Sequence, residues 1–260
     1  MLRRYFVVVA LAAGFVGTGC VSISHVQTAD TLGQGKSQFA VEPGAGGTAV
    51  FSGGEAVDSD VYPHVDLAYR YGVTDTLDLG VRFGSSLLEL QGKILLTDPA
   101  DPDRAISLAP SVMGFFFGSG GDNVNYVNVA LPVLIGFKTG NGSELVLGPR
   151  VTGTSIAIGS RGDTGRVSVL SLGTSVGYAL RVSEGFRLLP EVAVLFPLVG
   201  NLSSSNTDSD VVAGFAGGFV QFKLGFLFGR GRPISPPAPE GNFEPGTAQP
   251  EAPPEGGSEH

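Results

Sequence analysis

Charged residues are sparse in this chain, and most of those in its central part recur at every second position. His64, Asp66 and Arg70 alternate with Val65, Leu67, Tyr69 and Tyr71, and Asp78 and Arg82 alternate with Leu77, Leu79, Val81 and Phe83. The same beat carries Glu42, Glu89, Lys93, Glu144, Arg150, Arg181, Arg187, Glu191 and Lys223. Successive strand side chains point to opposite faces, so this spacing collects the charges on one face of a sheet and the apolar residues on the other. Basic and acidic groups nearly balance on the charged face, which makes a self-neutralising ion-pair network its first reading. A sharper one is a narrow constriction built from Arg70, Arg82, Arg150 and Arg187 that selects small anions.

Catalysis has few candidates. Nucleophilic chemistry of the Ser-His-acid kind needs a base, and the chain has three His. His25 precedes the first strand and His260 sits in the tail, which leaves His64, with Asp66 on its strand face. No Gly-x-Ser-x-Gly elbow accompanies it, and an isolated His near a strand end reads as a rim or lumen residue. There is no His pair or Cys pair at ligand spacing, so no metal is expected, and no cofactor. Gly118-Ser-Gly-Gly121 lies between strands, without a helix to present a phosphate site. We therefore expect a protein that is not an enzyme.

The elements that must position these residues are strands. Before them, Arg3 and Arg4 lead into an apolar run, Tyr5–Val16, that ends in Gly17-Thr18-Gly19 and Cys20. That is the layout of a secretory signal, here residues 1–19. The run is too short to span a bilayer as a helix, which takes roughly 20 residues. Gly-Thr-Gly-Cys resembles the lipobox of bacterial lipoproteins, which implies lipidation at Cys20, although Gly17 stands where that family usually has Leu. Cys20 is the only Cys, so no intrachain disulfide can form. Residues 20–35 are small and polar and read as a flexible leader.

Strand alternation starts near Gln38, and Ser52–Val61 reads as a long polar loop. Nine more strand-like segments follow to Phe228. The connections differ in kind. Val73–Thr76, Asp98–Asp103, Gly140–Gly142 and Val182–Gly185 are tight turns by their Gly, Asp and Pro content. Gly118–Asn123, Gly159–Gly165 and Leu198–Asp210 read as polar loops, and Ser85-Ser86 is too short for this alternation. Residues 230–260 are rich in Pro, Gly and Glu and cannot bury enough apolar surface to fold.

A net charge of -8 argues against a nucleic-acid binder, and forty Gly, no Trp and 15% charged residues suit a Gly-rich all-β membrane wall better than a soluble enzyme. No apolar run is long enough for a helical span, so a membrane could be entered only as a barrel. Tyr-Gly-Val-Thr-Asp-Thr-Leu-Asp-Leu-Gly-Val-Arg at 71–82, and the terminal Phe-Lys-Leu-Gly-Phe-Leu-Phe at 222–228, look like small bacterial outer-membrane β-barrel proteins. The resemblance covers residues 36–229 as architecture and singles out no family with a known activity. It implies a Gram-negative outer-membrane location, contact with outer-membrane lipid and insertion by the barrel-assembly machinery. The fold expected is an all-β, antiparallel up-and-down transmembrane barrel of about ten strands, within a range of eight to twelve, with a disordered carboxyl-terminal tail. Its role is structural or that of a narrow pore, with the charges in the lumen and the passing solute unassigned. Two other readings stay open: a lipid-anchored soluble β-sandwich that binds a partner, and an outer-membrane lipid-modifying enzyme using His64.

Overall fold

Alternation of period two over eight to twenty residues can close its hydrogen bonds only between strands, and a sheet with one apolar and one charged face must hide one of them. In the computed structural model the sheet curls on itself and hides the charged face. It describes residues 22–52, 55–56, 61–84, 87–119, 122–160, 163–204, 207–209, 217–229 and 231. The strands are β1 (Ser37–Ser52), β2 (Glu55–Ala56), β3 (Val61–Gly72), β4 (Leu77–Gly84), β5 (Leu87–Leu95), β6 (Arg104–Leu108) and β7 (Ser111–Ser119). They continue as β8 (Asp122–Lys138), β9 (Glu144–Leu147), β10 (Arg150–Ser160), β11 (Asp163–Ser183), β12 (Phe186–Ser204), β13 (Thr207–Ser209) and β14 (Gly217–Phe228).

These make ten staves. β6 and β7 form one stave interrupted at Ala109-Pro110, and β9 and β10 form another interrupted at Gly148-Pro149. Proline has no N–H for the ladder, so neighbouring chains use the carbonyls instead: Gly92 N–H bonds Pro110 O at 2.9 Å, and Val133 N–H bonds Pro149 O at 2.9 Å. β2 and β13 only extend the hairpins of β1 and β12. Every pairing is antiparallel, and β1 pairs with both β3 and β14, from Phe39 opposite Phe228 to Val50 opposite Gly217. That last seam closes the barrel and leaves it no edge.

Val73–Thr76, 96–103, 139–143 and 184–185, together with Ser37 and Phe228, mark one mouth, called the turn end. In its eight-residue turn, N–H groups of Asp103 and Arg104 bond the Asp101 carboxylate at 2.9 and 3.0 Å and hold it below the usual carboxylate range. At the opposite mouth the polar segments expected as loops are largely strand. β7 and β8 pair out to Ser119–Asp122, and β10 and β11 out to Ser160–Asp163. β12 likewise runs on to Ser204. Beyond the apolar belt both faces of a hairpin can be wet, so polar composition there hides an intact ladder. β4 and β5 also pair directly, Gly84 opposite Leu87, across the short Ser85-Ser86 link.

Outward-facing apolar side chains stay exposed. Leu67, Tyr69 and Tyr71 on β3, Leu88 and Leu90 on β5, Val127, Val129 and Leu131 on β8, and Leu170, Leu172 and Val176 on β11 are examples. At the turn end Phe39 lies opposite both Tyr69 and Phe228, and Phe186 stacks on Phe228 at 5.1 Å. From Phe186 to Phe196 along β12 is about 33 Å of strand, roughly 25 Å in height at the usual barrel tilt. That matches the apolar band of outer-membrane barrels. A soluble sandwich would have these faces reversed, so that reading is corrected.

The flexible leader is also corrected. Over 22–36 the chain does not trail from the barrel. It folds back at Gly33-Gln34-Gly35 and runs up inside the wall. Gly33 and Gly35 take φ of +86° and +75°, values that L side chains rarely adopt. Residues 22–29 and 31–33 are buried. Residues 1–19, expected to be a signal peptide, and Cys20 lie outside the described residues, as does the tail from 232 onward.

Candidate functional site

The inward positions of the strands form the lumen. Glu42, Asp66, Arg70, Asp78, Arg82, Glu89, Lys93, Glu144, Arg150, Glu191 and Lys223 are all buried there. Arg181 and Arg187 are half-buried and face each other across the β11–β12 hairpin at the turn end.

Six of the charges come together as one network. Glu42 Oε1 accepts Arg70 Nη2 at 3.2 Å, while its Oε2 faces Arg82 Nη1 at 3.5 Å and Lys223 Nζ at 3.3 Å. Lys223 also donates to Asp66, and Arg82 donates through Nε to Glu89 at 2.8 Å. Lys93 and Asp78 pair separately at 3.1 Å. Arg150 reaches Glu191 only at 4.0 Å. The four arginines expected to form a constriction therefore have different surroundings. Arg70 and Arg82 are tied into carboxylates, and Arg187 lies apart at the turn end. Burying ions is costly unless each is paired and hydrogen-bonded. The wall alone does not supply every partner.

The leader supplies further partners, through its backbone. Gln221 Oε1 accepts the N–H groups of Ile23 and Ser24 at 2.9 and 2.8 Å. Glu191 accepts Ser24 Oγ at 2.7 Å, His25 N at 3.1 Å and Val26 N at 2.9 Å. Glu144 accepts Ala29 N at 2.8 Å, and both Asp78 oxygens accept Leu32 N at 3.1 Å. In the other sense, Arg82 donates to Ser24 O at 2.6 Å and Arg70 to His25 O at 3.1 Å. Lys93 donates to the carbonyls of Thr28 and Asp30, and Ser107 donates to that of Ala29. At the turn end Asp30 is paired with Lys138 at 2.9 Å.

Shape is matched as well as charge. A Cβ added to Gly225 would run into Val26 Cγ1, and one added to Gly136 would run into both Ala29 Cβ and Glu144 Oε1. Val26 packs with Ala40, Ala68, Ala179, Leu189 and Leu227, and Ala29 packs with Leu95, Ala105, Leu134 and Val146. Ile23 meets Ala193 and Leu195 above them. Val26 adopts φ +42°, a costly region for a β-branched residue that persists only where the surroundings over-determine it. A void beside the leader, lined by Ile23, His25, Glu89, Met113 and Arg150 among others, holds about 10 Å³, room for about one water.

His64 is half-buried, with Nε2 3.0 Å from the Gln221 amide and Nδ1 3.4 Å from Tyr62 O. Asp66, the acid that shares its strand face, is bound by Lys223. The described residues contain no group of three His, Cys, Asp or Glu able to hold a metal.

What sequence reasoning missed is the ligand of this lumen, residues 22–33, with Gln221, Ser107, Gly136 and Gly225 that seat it. The available signal was weak: inward glycines at strand positions, and a leader of small, hydrogen-bonding residues.

No protein-family model matches the sequence, and neither does any curated protein. Three solved structures of similar arrangement are low in identity. Ail, the attachment invasion locus protein of Yersinia pestis, is 14% identical, with 75% of this chain and 99% of that one covered at a TM-score of 0.35. Neisserial surface protein A is 9% identical, covering 73% and 96% at 0.37. The outer membrane protease OmpT of Escherichia coli is 12% identical, covering 81% and 99% at 0.37. The barrel here rests on its own strand pairing, and these likenesses assign it no activity.

Proposed function

We propose that this protein is a Gram-negative outer-membrane β-barrel, exported by residues 1–19 and sealed by residues 22–33 of its own chain. Its role is structural, neither an open pore nor an enzyme. One observation carries this reading: a closed wall, greasy outside and ionic inside, whose lumen is occupied from the turn end up to the level of Gln221 and Lys223 by a segment hydrogen-bonded through its main chain. An exposed apolar belt of this height is stable only against lipid. Outer-membrane lipid and the assembly machinery are the partners this implies. Lipidation at Cys20 belongs to the same proposal.

The test fractionates the envelope and compares boiled with unboiled protein on a gel. Sedimentation with the outer membrane, a mobility shift on boiling, and no steps of conductance in a planar bilayer are expected. A water-soluble β protein released by Cys20→Ser would overturn the membrane assignment, and a steady open channel from the full chain would overturn the seal. The mass of the mature protein decides the acylation.

A further inference from the structure

We propose that the lumen is a binding tunnel for an extended polypeptide that is read chiefly by its main chain, and that the leader is its resident occupant. The inference rests on the sealed-barrel reading and goes beyond it by naming what the tunnel binds.

The partners of the leader come from many staves. Gln221 on β14, Glu191 on β12, Glu144 on β9 and Asp78 on β4 accept its N–H groups. Arg82 on β4, Arg70 on β3, Lys93 on β5 and Ser107 on β6 donate to its carbonyls. Side-chain readout is the smaller part: Ser22 Oγ accepts from Lys223 at 2.8 Å, Ser24 Oγ donates to Glu191, Thr31 Oγ1 donates to Asp75 O at 2.6 Å, and Asp30 pairs with Lys138 at the turn end at 2.9 Å. A wall of alternating carboxylates and cations answers any peptide backbone, whatever its sequence, because every residue offers one donor and one acceptor. What the wall restricts is size. Val26 and Ala29 sit so close to Gly225 and Gly136 that a Cβ on either glycine would collide with them, and both leader side chains are fully buried, so a larger one at either position would have to displace the wall. The ligand class is therefore an extended peptide with side chains no larger than those of Val and Ala at those two positions.

The full chain provides the test. Gln34 and Gly35 are exposed at the fold-back, so a site-specific protease sequence inserted between them allows the folded protein to be nicked. The nicked protein is unfolded and refolded in detergent with a tenfold excess of a fluorescent peptide of residues 22–34. One peptide per heat-modifiable barrel is expected, displaced by unlabelled peptide and by its Ser24→Ala analogue but not by Ala29→Phe or Val26→Phe analogues. In the unnicked chain, Ala29→Phe is expected to make the leader protease-sensitive while Ala29→Ser leaves it protected. Refolded barrels that take up no peptide, competition by the Phe analogues as strong as by the native sequence, or an Ala29→Phe leader as protected as the native one would each overturn the inference. All of these leave the seal intact as a tethered contact. An unnicked protein that already conducts refutes the seal itself.

Discussion

Glu191→Ala is the most direct perturbation of the seal. The Glu191 carboxylate accepts three hydrogen bonds from Ser24, His25 and Val26, and Arg150 stands at 4.0 Å. Truncation leaves three buried donors without an acceptor, each worth about 1–3 kcal/mol. Because the donors are adjacent and relax together, we take the low end and expect about 3–4 kcal/mol lost from the seated state. At 1.4 kcal/mol per decade that is a rise of roughly 100- to 700-fold in the fraction of barrels with the leader out. The barrel wall loses no strand hydrogen bond, so boiled and unboiled mobility should match the parent protein. The assay is paired: planar-bilayer recording for open events, and limited proteolysis for exposure of the leader. Glu191→Gln, which keeps one acceptor oxygen, should fall between the two. A folded Glu191→Ala barrel with event frequency and leader protection within a few-fold of the parent would refute the view that these bonds hold the leader.

Three further perturbations separate leader, strain and belt. His25 is buried near Arg70, Arg82, Arg150 and Lys223, so His25→Lys adds a fixed positive charge among cations and should unseat the leader, whereas His25→Asn should leave it protected from protease. At Val26, relief of the φ +42° strain offsets lost packing in Val26→Gly but not in Val26→Ala. Chemical denaturation followed by leader proteolysis should rank Val26→Ala below Val26→Gly by about 1 kcal/mol, and the reverse order would contradict that backbone geometry. On the outer face, Leu131→Arg places a charge in the exposed belt of β8 and should cost about 2–4 kcal/mol in lipid. Asn123→Arg, on the polar extension of the same strand, should be nearly neutral in refolding yield into vesicles. Equal yields would argue that the belt does not face lipid.

The wall was legible in the sequence because it obeys a single short period. Every strand from Gln38 to Phe228 announces its inward and outward residues locally, so ten staves and the charge-lined interior follow from alternation alone. The extensions beyond the belt were not legible. Ser119, Asp122, Ser160 and Asp163 are polar on both faces, and polarity without a period looks like a loop whether or not its backbone is paired. The seated leader was hidden for a different reason. Its binding is carried by main-chain groups, which every sequence possesses, and by carboxylates far away in the chain, such as Glu191 to Ser24. Lys223 and Glu42 could be predicted to pair, but Ser24 and His25 meet that network through backbone carbonyls, which no side chain betrays.

The sequence distances inside the seat have a consequence for how the molecule is made. Ile23 is held by Gln221, 198 residues away, and Ser24 by Glu191, 167 residues away. These are contacts between nearly the first and nearly the last residues described, and contacts across long loops form late. Glu191 and Gln221 reach their places only when β12 and β14 have joined the sheet and β14 has zipped to β1. Occupancy of the seat therefore reports that assembly is finished. A barrel stalled with its first–last seam unzipped would carry a loose, protease-sensitive amino-terminal segment and unanswered carboxylates, the marks by which a quality-control protease could tell an abandoned intermediate from a completed wall.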